Sequence, residues 1–279
     1  MKRKLSLTLL IVCIICLLSS CGNSAARGEK LLNEYYEANL FVAYSDEQKI
    51  INWDMLRKYT DQKSSECNDN IELINKYLSS IGQPEIEKIS VGNIIEFGSY
   101  EVDGDATNGT EPLLWRVLEI DGDKVLLITY QCIDCVPYNQ KLVESTWGTS
   151  YLRKWCNNDF LTSAFSEKEQ SQIAKTKVIN GNKYFPSEKD EENTEDYVFC
   201  LSIGEAETYL SSETQRTAEI TTYAEMRGAL VDGSWWLRTQ GDNKKFAATV
   251  GASSGKIFTG GGPKSSELVC VRPALWISF

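Results

Sequence analysis

Nine cysteines and no histidine bound the chemistry open to this 279-residue chain. Without an imidazole there is no Ser-His-Asp or Cys-His nucleophile activation and no histidine metal site. An enzyme built from these residues would need paired carboxylates, a tyrosine or lysine base, or a metal held by oxygens. No nucleophile elbow or paired-carboxylate motif is present, so the residue types favour binding over turnover. Hard oxygen ligands gather at Asp103-Gly104-Asp105-Ala106-Thr107-Asn108-Gly109-Thr110-Glu111. There Asp103, Asp105 and Glu111, separated by turn-forming glycines, have the composition of a Ca2+ loop. It is not an EF-hand, because Asn108 stands where the glycine belongs and no acid occupies the twelfth position. A merely solvated acidic turn is the competing reading. The acidic run Asp190-Glu191-Glu192 offers oxygens too, of a kind common at any surface.

A second set of residues suits recognition. Ser234-Trp235-Trp236-Leu237-Arg238-Thr239 is answered near the C-terminus by Val271-Arg272-Pro273-Ala274-Leu275-Trp276. Tryptophan faces stack on sugar rings or grip peptide side chains, and arginine supplies a fork of donors. The candidate ligand-binding residues are therefore Trp147, Trp235, Trp236, Arg238 and Arg272. Strand alternation sends adjacent tryptophans to opposite faces, so at least one of the pair belongs to the core. The two arginines have buried acids such as Asp134 or Glu205 as candidate partners.

Where the chain resides follows from its start. Lys2-Arg3-Lys4 precedes a nearly continuous apolar run, Leu5 to Leu18, and then Leu18-Ser19-Ser20-Cys21. This is the pattern of a secretory signal ending in a bacterial lipobox. Residues 1–20 are expected to be removed, leaving Cys21 to carry a thioether-linked diacylglycerol that anchors the protein to the outer face of the cell membrane. Two acyl chains anchor stably where one does not. The competing reading, an uncleaved span, needs a longer apolar run. Processing removes three positive charges and no negative ones from a chain of formal charge −10. Such a surface repels nucleic acid and anionic headgroups, leaving glycans and envelope proteins as the expected partners.

Discounting Cys13, Cys16 and Cys21, six cysteines remain: Cys67, Cys132, Cys135, Cys156, Cys200 and Cys270. Cys132-x-x-Cys135 has redox or zinc-knuckle spacing, but no second such pair follows. Cys156 and Cys200 sit in apolar-patterned segments, as small buried hydrophobes do. Disulfides among the six are open to a chain outside the cell.

Residues 21–28 are small and polar and read as a tether. Residues 29–83 read as a small helical module. Its apolar residues recur at helical spacing over Glu29–Tyr44. Ser45-x-x-Gln48 resembles a capping box for a second helix, and Ile71, Ile74, Leu78 and Ile81 mark a third that ends at Gly82 and Pro84. Residues 89–279 change character. Strands are expected at 94–100, 113–120, 124–130, 197–201, 235–239, 245–250, 255–259 and 268–277. Short helices are expected at 150–160, 166–174 and 204–210, with a flexible turn at Gly260-Gly261-Gly262. Strands, then helices, then strands make the fold class α+β.

The motifs of this larger segment carry a resemblance. Pro112-Leu113-Leu114-Trp115-Arg116-Val117-Leu118, Asp134-Cys135-x-Pro137-Tyr138-Asn139, Thr146-Trp147, Tyr151-Leu152-Arg153-x-Trp155-x-Asn157, Val198-Phe199-x-Leu201-Ser202, the Trp235-Trp236-Leu237-Arg238 strand and Val271–Trp276 occur in order. Together they resemble a family of uncharacterised bacterial domains, often secreted or lipid-anchored in Gram-positive bacteria, over about residues 89–279. The resemblance carries no activity with it. The chain departs from that pattern at Thr239-Gln240-Gly241, where members usually read serine-proline-glycine, and has Cys156 and Cys200 where leucine is usual. A double-tryptophan strand, a hairpin and a closing arginine strand are also similar to C-type-lectin-like domains, including the formylglycine-generating-enzyme type. That likeness implies a mixed domain of antiparallel strands and short helices. The oxidase of that group uses a cysteine pair near its C-terminus, where this chain has only Cys270, so its chemistry is not implied. The expected function is a membrane-anchored, non-catalytic binding module for glycan or protein ligands. An envelope-assembly protein is the alternative, and a histidine-free enzyme of that fold a further one.

Overall fold

The computed structural model describes residues 22–38, 40–45, 48–181 and 192–278. The signal region, Cys21 and most of the acidic run at 190–192 lie outside the described residues. No helix among the described residues is long and apolar enough to cross a membrane. The chain divides after Ile89 into two compact units.

The first unit is not purely helical. Helix α1 (Gly22–Glu37) stops well before Tyr44, and the chain then forms an antiparallel pair, β1 (Phe41–Ser45) and β2 (Gln48–Ile51), to which β3 (Ile86–Lys88) adds in parallel. Ser45 and Gln48 therefore pair across two strands instead of capping a helix. The residues Phe41-Val42-Ala43-Tyr44 and Ile50-Ile51 are β-prone, and pairing buries Ile50 and Ile51 completely. The next helix, α2 (Trp53–Thr60), starts later, where the Asn52 side chain accepts hydrogen bonds from the Asp54 and Met55 amides. Helix α3 (Ser64–Ser80) follows the expected spacing. Ile71, Ile74 and Leu78 pack with Leu32, Tyr35 and Leu56, while Ile81 falls past the helix end and is exposed.

The second unit is α+β, built on two sheets. The first is a run of antiparallel neighbours β11–β16–β6–β5–β4, formed by β4 (Ile94–Tyr100), β5 (Glu111–Asp121), β6 (Lys124–Thr129), β11 (Val198–Phe199) and β16 (Ala274–Ser278). The short β8 (Ile173–Ala174) also pairs with β16. The second sheet runs β14–β13–β12–β15–β7, from β7 (Asp134–Cys135), β12 (Ser234–Gln240), β13 (Phe246–Gly251), β14 (Ile257–Pro263) and β15 (Cys270–Val271). A small ribbon, β9 (Thr176–Val178) with β10 (Thr194–Asp196), stands apart from both. The helical segments between them are α4 (Tyr151–Trp155), a π-helical turn (Cys156–Phe160), α5 (Leu161–Ala164), α6 (Glu167–Gln172), α7 (Ile203–Tyr209), α8 (Glu213–Arg216) and α9 (Thr222–Met226). Capping boxes of Ser166 with Glu169 and Ser202 with Glu205 begin α6 and α7.

Two sequence expectations are corrected here. Leu268–Ile277 is not one strand. Val271 ends a strand of one sheet and Ala274 begins a strand of the other, with Arg272-Pro273 as the crossing. Proline, which lacks an N–H, suits a position between ladders, and its carbonyl accepts from the Thr129 amide at 2.9 Å. Gly260-Gly261-Gly262 is not a turn but part of β14. Gly261 has φ +74°, and a Cβ there would collide with the Ala247 carbonyl on β13. The glycines allow a bulged strand to lie close to its neighbour.

All six cysteines of the described residues are free and buried. Cys135 and Cys270 face each other across β7 and β15 with Sγ atoms 3.7 Å apart. Hydrogen bonding to Cys270 and then burial push the Cys135 thiol well up. Cys270 is pushed up first by its hydrogen bond with Cys132, and Cys156 by burial and then by Cys200. Protonated, buried thiols react slowly. In the reduced protein, iodoacetamide should leave all six unlabelled under native conditions and modify all six once denaturant is added. Rapid native labelling of any of them, read by peptide mass, contradicts this packing.

Candidate functional site

The residues singled out for recognition are interior ones. Trp147, Trp235, Trp236 and Arg272 have no exposed surface, and Arg238 keeps 2%. The expectation of a stacking face is corrected: both sides of β12 are covered, so alternation sends one tryptophan into each packed layer instead of one to solvent. Their polar atoms are satisfied inside the protein. Trp236 Nε1 donates to the Val136 carbonyl at 3.0 Å, Trp235 Nε1 to the Arg216 carbonyl at 3.3 Å, and Trp147 Nε1 to Asp196 Oδ2 at 2.9 Å.

The arginines act as internal clamps. Arg238 pairs with Glu205, with one contact of 2.7 Å, and also donates to Asn180 Oδ1 and to the carbonyls of Ile179 and Cys200. The proposed Arg238–Glu205 partnership is present; Asp134 instead holds Tyr100 and Arg227. Arg272 pairs with no acid among the described residues. It donates to the carbonyls of Thr129, Tyr130 and Arg216 and lies over the Trp235 ring at 5.2 Å.

In the acidic loop, carboxylate oxygens of Glu101, Asp103 and Glu111 lie within 4.8 Å of one another. Asp105 is outside this group, its Oδ1 accepting from the Thr107 amide and hydroxyl. Glu101, at the exit of β4, is a member that composition did not single out. The loop already uses these oxygens: Gly104 N–H donates to Glu101, Val102 N–H to Glu111, and Asp105 N–H and the Asn108 amide to Asp103. The Asp105 N–H and then the Asn108 amide hold Asp103 below the usual carboxylate range. Of the two readings, the oxygen set suits a hard cation in type, while its hydrogen bonding is that of a self-capped turn.

A cleft of about 330 Å³ opens elsewhere, lined by Arg116 of β5, Tyr130 just past β6, Thr217 and Glu219 after α8, Val231, and Ser253 after β13. Arg116 carries its guanidinium carbon 5.5 Å from the Tyr130 ring centre, a cation–π distance. Its Nε is buried and has no hydrogen-bond partner. Behind this pair Arg272 clamps the Tyr130 carbonyl. Burial, and to a smaller extent the neighbouring Arg116 charge, leaves the Arg272 guanidinium pushed down to about 10. Arg116 stood within a motif of the sequence, but nothing in its spacing pointed to the cleft. Its other walls are more than a hundred positions further along the chain, except Tyr130.

No curated protein and no solved structure matches the chain. Residues 122–279 match a family described as a domain of unknown function, DUF6273. The matched region starts at the β5–β6 turn and contains both arginine clamps, both buried tryptophans of β12 and most of the cleft, with Arg116 just before it. Since that match covers more than half of its length, the chain belongs to the DUF6273 family.

Proposed function

We propose that this protein is a lipid-anchored, non-catalytic binding module on the outer face of the cell membrane, and that it takes glycan ligands in the Arg116–Tyr130 cleft. The lipobox ending at Cys21 supports the anchor and the location. One observation carries the binding site: a cleft at the lower end of the size of small-ligand sites, in which an aromatic ring, a guanidinium, a carboxylate and two hydroxyls converge. The absence of histidine supports binding over catalysis. The C-type-lectin-like likeness belongs to the same proposal, supported by the antiparallel β12–β13–β14 run that follows the double tryptophan.

The test is retention of the full mature chain on arrayed cell-wall and host glycans, with and without calcium. Saturable binding is expected, reduced about tenfold or more by Ser253→Trp, which fills the cleft from an exposed position, at unchanged melting temperature. Calcium dependence would add the Glu101–Asp103–Glu111 cluster to the site. Lack of glycan retention under both conditions, or binding untouched by Ser253→Trp, overturns the proposal.

A further inference from the structure

Resting on the reading of the cleft as a binding site, we propose that its ligand is an acidic sugar whose carboxylate is held by Arg116. Arg116 makes no ion pair among the described residues; Tyr130 touches it through its ring, not through an oxygen. In a chain with ten more acidic than basic residues, a half-buried arginine without an acid partner is unusual company. Glu219 lines the same cleft and does not pair with it. Nε is enclosed by the protein, so the terminal nitrogens of the guanidinium, which are not enclosed, are the donors a ligand oxygen in the cleft can meet. A planar carboxylate fits the edge formed by the two terminal guanidinium nitrogens through two parallel hydrogen bonds.

The rest of the lining points to a sugar as the bearer of that group. Glu219 can accept from ligand hydroxyls, as can the Thr217 hydroxyl, whose proton goes to the Thr214 carbonyl, and Ser253 can donate or accept. A hexuronate presents both features, one carboxylate and a ring of hydroxyls. Glu219 also disfavours ligands of higher negative charge, since a second anionic group would approach its carboxylate.

Two matched pairs of probes test this on the full mature chain: glucuronate against glucose, and N-acetylglycine against N-acetylglycinamide, followed by NMR shift titration. Glucuronate should bind about tenfold or more tighter than glucose. Arg116→Gln should abolish that preference, and Arg116→Lys, which keeps charge without the fork, should retain part of it. Melting temperatures of both variants guard against misfolding, and the lysine variant decides if the glutamine one does not fold. Equal binding of glucuronate and glucose overturns the carboxylate assignment while leaving a neutral-glycan module standing. Tighter binding of N-acetylglycine than of glucuronate overturns the sugar assignment in favour of a peptide carboxylate. No saturable binding of any probe, or a preference that survives in Arg116→Gln, also overturns it; the glycan array and Ser253→Trp then judge the binding-module reading separately.

Discussion

Arg238→Met should lower the unfolding free energy by about 3–5 kcal/mol, the range expected when one partner of a buried ion pair is removed. Arg238 lies at the junction of β12, α7 and the chain before β10, joining Glu205, Asn180, Ile179 and Cys200 in one fan of donors. Methionine fills the space but leaves a carboxylate, the Asn180 amide oxygen and two backbone carbonyls without their donor. Glu205 is 30% exposed and partly rehydrates, whereas Arg238 is almost wholly enclosed. The reverse change, Glu205→Gln, should therefore cost less than Arg238→Met, because an amide oxygen still accepts from the guanidinium. Urea unfolding followed by tryptophan fluorescence reports mainly on the second unit, since every tryptophan except Trp53 lies there. A shift in midpoint at constant slope measures the change. A loss for Arg238→Met below about 1 kcal/mol would show that the clamp is not structural.

Trp236→Ala should be of similar size, about 3–5 kcal/mol, the usual range for deleting a large buried aromatic. The indole is fully enclosed, meets Tyr138 edge-on at 5.7 Å between ring centres, and holds the Val136 carbonyl. Alanine removes the packing and strips that carbonyl of its donor. Tyr138 is the next link, its hydroxyl donating to the Arg238 carbonyl at 2.8 Å. The damage should thus spread along the segment from Val136 to Tyr138. Trp236→Phe should recover most of the packing but not the hydrogen bond. If Trp236→Ala instead melts like the wild type and loses only glycan binding, the stacking role expected from the sequence is restored and the present placement is wrong.

Local patterns were legible in the chain, and long-range ones were not. The 124–130 strand, the Ser166 capping box and the 235–239 strand were readable because alternation and capping act within a few residues. The 41–51 hairpin was missed because its apolar residues also fit a helical spacing, and only pairing with β3 decides between the two. The crossing at Arg272-Pro273 looked like continuous strand because each half is apolar; that the halves serve different sheets is a tertiary fact. The tryptophans and arginines of the hallmark segments drew attention as binding residues. They are instead the bonds by which distant segments hold one another. The cleft had no local signature. Arg116 and Glu219 lie over a hundred residues apart, and what distinguishes Arg116 is the lack of an acid partner among the described residues, which only the folded chain reveals.

The passage of the chain from β15 to β16 bears on how the second unit closes. β16 lies between β11 and β6 in one sheet, and β15 between β12 and β7 in the other. Arg272 at the crossing reaches back 143 positions to the Thr129 carbonyl. Neither sheet is complete without residues 270–278, so this one segment closes both. Such long-range closure makes folding slow. Residues 270–278 thus act as a latch common to both sheets, and loosening this one segment opens the two together.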